Sequence, residues 1–367
     1  MRLSFDTIER RLPRLTHRIS SHYSTLAFLV GFVWDNLTLT RVDLWLNHVG
    51  LLVYLAIAGV GIILINASRA SQPAYLTRYA PWYPLAVQFA FGGLFSGYFV
   101  FYSRSASLAA SWPFLFFLAA LLVGNEFLRE RYHRLLLQVG VLYVALFSYA
   151  IFAVPVVLRS VGTGVFLLSG LVGLAMAAFF LALLSLVLME RFRALVRHVA
   201  ISIIAIYVLF NAFYFLNIIP PLPLSLKDIG IYHGVERMEG GGYRVLAEAS
   251  RRALLPWPRH ARTLHLAPDG TLYCFSSVFA PTRTSTHIYH SWEYKDARTG
   301  EWVLATRVPF SITGGRDGGY RGFSFKSALF PGRWRCDVET ERGALIGRRT
   351  FRIVETDVPP ALVERDG

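Results

Sequence analysis

A chain of 367 residues, 54% of them hydrophobic and with a mean hydropathy of +0.44, is too apolar for an ordinary soluble protein. Its formal net charge is +14. Much of that excess sits at the ends of apolar runs, which is a membrane-topology pattern rather than a phosphate footprint, so no nucleic-acid partner is expected. Only two cysteines occur, Cys274 and Cys336, which excludes a zinc-type cysteine framework.

The chain divides near residue 219. Residues 1–219 hold 16 Arg, no Lys and 7 acidic residues, whereas residues 220–367 hold 21 Lys plus Arg and 16 acidic residues. Residues 1–23 contain Arg2, Arg10, Arg11, Arg14 and Arg18. They read as a basic cytoplasmic tail or as a short amphipathic helix on an anionic membrane surface. No cleavable signal peptide is evident.

Seven apolar segments follow, at approximately 24–40, 44–66, 84–103, 107–127, 135–156, 163–188 and 198–219, measured against the roughly 20 residues a helix needs to cross a bilayer. The first is interrupted by Asp35 and Asn36. With the N-terminus inside, the inner segments carry 13 Arg and the outer loops carry three, Arg41, Arg104 and Arg159. This alternation predicts seven spans, a cytoplasmic N-terminus and an exported C-terminal region. Small residues four apart, Gly92/Ser96, Gly93/Gly97 and Ser169/Gly173/Ala177, allow close helix approach, either within one bundle or across a homo-oligomer.

Ile219-Pro220-Pro221-Leu222-Pro223 then ends the last helix and stiffens the exit. The pattern changes from helical blocks to short alternating runs at 229–235, 243–249, 262–266, 271–279, 286–295, 301–309, 319–327, 332–340 and 344–354. Turn signals separate several of them, among them Pro268-Asp269-Gly270, Thr299-Gly300 and Pro331-Gly332. The expected architecture is a membrane all-α bundle of about seven transmembrane helices followed by an all-β antiparallel sandwich, Ig-like in form. Its expected divisions are a tail at 1–23, a bundle at 24–219, a junction at 220–229, a β domain at 230–356 and a disordered tail at 357–367. The run 250–261 reads as an irregular crossing.

Ionisable residues in a membrane default to functional candidates. Asp35, Arg41 and Asp43 cluster about the first outer turn, and Asn125-Glu126 close the fourth span. All lie at span ends, where structural pairing also explains them. In the β region, His287 and His290 are three apart on one strand and face opposite ways; His233, His260 and His265 have no fixed place. No metal-ligand spacing, phosphate loop, dinucleotide fingerprint or nucleophile elbow is present, so no metal or cofactor is expected. Leu272, Cys274 and Val278 share one strand face, as do Trp334, Cys336 and Val338; these faces point inward, and the cysteines form either a disulfide or two unpaired core thiols. On the opposite face Arg333 and Arg335, with Arg348 and Arg352, join Tyr273, Phe275 and Tyr289. This is either a surface for an anionic glycan or lipid head group or a plain solvated face.

The runs Leu272-Tyr273-Cys274-Phe275-Ser276, His287-Ile288-Tyr289-His290-Ser291-Trp292, Tyr320-Arg321-Gly322-Phe323-Ser324 and Pro331-Gly332-Arg333-Trp334-Arg335 resemble the bacterial domain of unknown function 2914. The exit through Leu224-Ser225-Leu226-Lys227 and Ile231-Tyr232-His233, and the run Gly31 to Asp43, are similar to its multi-span members. Cys336 stands where the family pattern would place an apolar residue, so a disulfide is not carried over. The resemblance supplies no activity. It implies a Gram-negative inner-membrane protein with a periplasmic module, and its motif residues His290, Trp292, Arg321 and Trp334 are the ones to test, with Trp292 and Trp334 readable equally as plain core. Two readings follow: a non-enzymatic envelope protein whose module binds a periplasmic protein or anionic glycan or lipid, or a transporter or lipid-linked enzyme working through Asp35, Arg41, Asp43 and Glu126.

Overall fold

Uninterrupted apolar runs with few charges leave a chain one way to satisfy its backbone in lipid, which is the helix. A computed structural model describes residues 33, 35–39, 43–69, 74–105, 108–128, 134–188, 190–239, 241–249, 263–358 and 360–366. The helices are α1 (Trp45–Arg69), a short α2 (Ala74–Arg78), α3 (Tyr83–Ser105), α4 (Leu108–Leu128), α5 (Leu135–Leu158), α6 (Thr163–Leu188) and α7 (Glu190–Phe215). Five stretches are long and apolar enough to cross a membrane: Trp45–Arg69, Ala80–Ser105, Leu135–Leu158, Thr163–Leu188 and Leu195–Phe215. Within α4 the apolar stretch is Ala110–Asn125. The basic tail, most of the first predicted span, Arg41, His260 and the crossing at 250–261 lie outside the described residues.

Helix α5 is the centre of the bundle, with most of its length buried. The small-residue faces are filled from within the chain. An added Cβ on Gly93 would lie 2.7 Å from the Tyr54 ring of α1, and one on Gly173 would lie 3.4 Å from Phe147 of α5. Gly97 likewise faces Leu51, and Ser169 and Ala177 are buried. Neighbours within the chain thus fill these positions, as packing inside one bundle requires.

The β region has eleven strands: β1 (Ser225–Tyr232), β2 (Gly234–Arg237), β3 (Tyr243–Glu248), β4 (Thr263–Leu266), β5 (Leu272–Phe279), β6 (Ser285–Lys295), β7 (Trp302–Thr313), β8 (Tyr320–Lys326), β9 (Gly332–Thr340), β10 (Leu345–Glu355) and β11 (Leu362–Asp366). They form three sheets, in the orders β1-β5-β8, β4-β10-β9-β6-β7 and β11-β3-β2. The first two share one core, which includes Ile231, Leu272, Cys274, Val278, Ile288, Trp292, Trp334, Cys336, Val338 and Phe351. Along each regular run the inner residues fall at strand period two, which is why the sequence showed the face; on β10 an irregularity between Leu345 and Gly347 puts Ile346 out of phase with Phe351 and Ile353. The third sheet lies against the back of the first, burying Phe275 with Tyr232, Val235 and Val245.

Two boundaries differ from the sequence reading. Strand β1 starts at Ser225, so Lys227 and Asp228 lie inside a strand that pairs with β5 from Ser225 onward, with an irregularity between Leu226 and Asp228. The tail expected to be disordered forms β11, which pairs antiparallel with β3. All five of its side chains are exposed. It is itself an edge strand, held by backbone hydrogen bonds to β3, the middle strand of its sheet, a contact that leaves no burial pattern to read.

The β region sits directly on one end of the bundle. The proline segment is folded down rather than extended: Ile219, Leu222 and Leu224 are buried, and Leu222 N–H and Leu224 N–H donate to the Pro220 and Pro221 carbonyls. Arg342, in the β9–β10 turn, donates from Nη2 to the Tyr214 carbonyl at 3.1 Å and to Asn217 Oδ1 at 2.9 Å. Thr282 approaches Asp43 Oδ2 at 3.4 Å just ahead of α1. The docking end is thus where α1 and α6 begin and where α5 and α7 end.

Candidate functional site

The sequence-predicted residues of the β region separate into three groups. Cys274 and Cys336 form a disulfide that joins β5 to β9 across the core. His290, Trp292 and Trp334 are fully buried around it. His290 Nε2 lies 2.8 Å from Ser276 Oγ and Nδ1 lies 3.0 Å from Ser324 Oγ, while Trp292 Nε1–H donates to the same Ser324 oxygen at 2.9 Å. Burial pushes the His290 pKa down to about 3, so the ring is neutral. These residues are core, not a surface for a partner. Alternation on β6 explains it: Ile288, His290 and Trp292 face in, whereas His287 faces out. The donor atoms of Cys274, His290 and Cys336 lie within 4.8 Å of one another, but the disulfide consumes both sulfurs, so the set offers no metal site.

The second group is the arginines on the outer face of the five-stranded sheet. Arg335 bonds Glu293 Oε2 at 2.5 Å and stacks over the Trp302 ring at 4.4 Å. Arg348 Nε donates to Asp337 Oδ1 at 2.7 Å, and that bond raises the already high guanidinium pKa. Arg307 pairs with Glu339 at 3.0 Å. A ladder of carboxylates on β6 and β9 therefore neutralises the basic face read from the sequence. Arg333 and Arg352, cross-strand partners on β9 and β10, are the exposed remainder. Arg321 on β8 is half-buried, and its carbonyl accepts from the Tyr243 hydroxyl.

The third group was left unplaced by the sequence. His233 Nε2 and His265 Nδ1 converge on the two oxygens of Glu248, at 2.9 and 3.0 Å. Burial raises the Glu248 pKa, and the hydrogen bonds from both histidines and the His265 amide outweigh it, leaving a net lowering. This cluster ties β3 of the small sheet to β4 of the large one.

In the bundle, Ser96 Oγ–H donates to Asp35 Oδ2 at 2.5 Å, and Arg104 donates to the neighbouring Asn36 carbonyl. Asn125 is buried and donates to the Gln88 carbonyl at 2.9 Å. Glu126 is in α4. Asn66 Nδ2 donates to Gln138 Oε1 at 2.8 Å, a neutral pair linking α1 to α5.

A cleft of about 150 Å³ opens between the bundle end and the β region. Its membrane-side wall is apolar, from Ile151, Pro155 and Phe166; its other wall carries His287, Glu341 and Arg342. The Arg342 guanidinium lies 3.6 Å over the Tyr214 ring, which stacks on Phe166 at 3.6 Å and 3°. No sequence signal pointed to Arg342. It occupies a turn, and its partners come from a helix more than a hundred residues away.

The profile of one family, described as "Protein of unknown function (DUF2914)", matches residues 285–353, from β6 through β10. No curated protein matches the chain. Among solved structures it is similar to the beta-glucosidase from Listeria innocua (11% identity, TM-score 0.20, 32% of this chain and 17% of that one). It is also similar to the Bifidobacterium adolescentis GH3 beta-glucosidase (9% identity, TM-score 0.18, 34% of this chain and 17% of that one). A third likeness is the Pseudomonas fluorescens alkylpurine DNA glycosylase AlkC bound to DNA containing an abasic site analog (9% identity, TM-score 0.22, 85% of this chain and 99% of that one). The chain thus spans less than a fifth of the glucosidases it matches, and at these scores neither fold nor activity carries over.

Proposed function

We propose that this chain is a non-catalytic envelope protein of a Gram-negative inner membrane. In this reading seven spans, residues 24–219, carry an Ig-like sandwich of residues 225–366 on the periplasmic side, and the N-terminal tail is cytoplasmic. The sandwich binds an anionic envelope partner, a lipid, glycan or protein, and the bundle holds it at the membrane surface. The observation that carries the reading is the placement of the disulfide-bonded β region at one end of the bundle, held there by Arg342, Tyr214 and Asn217. At the opposite end lie Arg69 and Arg78, which close α1 and α2, Arg134, which precedes α5, and Arg197, early in α7. Positive charge marks the cytoplasmic end, and oxidised cysteines suit an exported compartment.

The rival reading, a transporter or lipid-linked enzyme, draws less support. Asp43 lies before a helix start, Asp35 accepts a hydrogen bond from buried Ser96 of α3, and the Asn66–Gln138 pair between α1 and α5 is uncharged. A reporter fused after Gly367 tests the proposal. An alkaline phosphatase fusion is expected to be active and a fluorescent-protein fusion dark; the reverse result overturns the orientation and the periplasmic partner together.

A further inference from the structure

We infer that the cleft between the bundle and the β region is a binding site for the phosphoryl head group of an anionic phospholipid of the surrounding membrane. The inference rests on the proposed membrane-surface placement of the β region, and it names the ligand of that arrangement.

Three features converge on this chemistry. The first is level. The cleft lies where α5 ends at Leu158, α6 begins at Thr163 and α7 ends at Phe215, the depth at which a bilayer passes from acyl chains to head groups. Beside it, Val157, Phe215 and Leu216 are 77%, 56% and 68% exposed, a surface suited to acyl chains rather than water.

The second is charge. Arg342 is half-buried, and its hydrogen bonds among the described residues use Nη2 alone. Stacking on Tyr214 fixes the plane of the guanidinium while Nε and Nη1 keep their donors. Burial lowers the Arg342 pKa, but an arginine stays protonated at any physiological pH. A fixed, planar, partly desolvated guanidinium matches a phosphate oxygen pair. Among the described residues the exposed Glu341 is the one acidic side chain on the cleft, and exposed His287 adds a second nitrogen donor.

The third is the start of α6. Gly162 and Thr163 line the cleft, so the first-turn N–H groups, which have no intrahelical acceptors, belong to the same wall. Thr163 Oγ1 already receives the Tyr214 hydroxyl at 3.5 Å, so the helix start and the arginine platform are one unit. The apolar residues Ile151, Pro155 and Phe166 favour an ester-linked amphiphile over free phosphate or a sugar chain.

The test uses the full chain purified in mild detergent and examined by native mass spectrometry with phosphatidylglycerol and phosphatidylcholine in equal amounts. Wild type is expected to retain phosphatidylglycerol over phosphatidylcholine, and Arg342→Gln to reduce that preference by about tenfold. Arg342→Lys is expected to recover part of it, and Arg298→Gln, in the exposed β6–β7 turn at the end of β6 far from His287, to leave it unchanged. Arg342 also holds the two regions together, so protease cleavage near Pro223 is followed in each variant. If Arg342→Gln loosens the junction, His287→Gln and Thr163→Val carry the test and are expected to weaken the preference without new cleavage. Equal retention of the two lipids by wild type, or a preference untouched by all three cleft variants, overturns the inference. Displacement of the lipid by millimolar inorganic phosphate overturns the choice of a lipid over a free anion. The reporter fusion reads orientation alone, so the two proposals fail separately.

Discussion

In the bundle, Asn66 and Gln138 meet as an uncharged pair between two helices, and Asn125 spends its amide on a backbone carbonyl. In the β region, Arg335 meets Glu293, Arg348 meets Asp337 and Arg307 meets Glu339, all on the outer face of one sheet. That region keeps its inner face free of charge by holding His290 neutral between two serines. The difference follows from the solvent on each side. A helix in lipid has no wet face on which an ion pair is cheap. An antiparallel sheet has one dry face and one wet face, and it sorts charge between them.

The largest effect that would break this contrast is loss of the cross-core disulfide. Replacing Cys274 and Cys336 by Ala is expected to cost roughly 2–5 kcal/mol, because the bond closes a long loop between the sheets. Denaturant unfolding of the β region's tryptophan signal in the intact protein measures it, and an unchanged midpoint would remove the disulfide from the account.

His290→Ala comes next, at roughly 2–4 kcal/mol, since it opens a cavity and strips Ser276 and Ser324 of a buried partner. The same ring sets a pH dependence. Its folded pKa, about 3, lies below its ordinary 6.5. Between those values the unfolded chain binds a proton that the folded chain does not. Stability is therefore full above about 6.5 and falls as the pH drops toward 3, by at most about 1.4 kcal/mol per pH unit. His290→Gln is expected to flatten that slope in an acid titration of unfolding; an equally steep slope would assign it to other groups.

In the bundle the corresponding change is smaller. Asn66→Leu is expected to cost about 0.6–1.7 kcal/mol, because polar pairs in membranes find alternative partners when unfolded. The double variant with Gln138→Leu should recover part of it, which a cycle of thermal unfolding curves would read. Smallest is Arg307→Ala, below about 1 kcal/mol and fading with salt, because its side chain is 34% exposed. A cost above that of His290→Ala would reverse the contrast between the wet and dry faces.

Much of this was legible from the chain. Apolar runs gave the helices, and period-two alternation placed Leu272, Cys274, Trp334 and Val338 on inner faces. Two arginines read as free are not, because Glu293 and Asp337 arrive on neighbouring strand positions that no local pattern announces. His290 and Trp292 stood out as a motif, and their parity with Ile288 was visible, but burial decided that they form the core. The cleft was not legible at all, since it is made of helix ends, a turn and a proline segment.

The sequence by itself determined where the long helices and most of the strands lie, which strand faces are apolar, and where the chain changes from one kind to the other. These are local properties, carried by periodicity and by the residues that stop it. Tertiary structure alone decided which strands are neighbours, which arginines are neutralised, that residues 362–366 close the small sheet, and that Arg342 reaches back to Tyr214. Each of these depends on a partner distant in the chain, and such partners meet only when burial and backbone hydrogen bonding are satisfied across the whole fold at once.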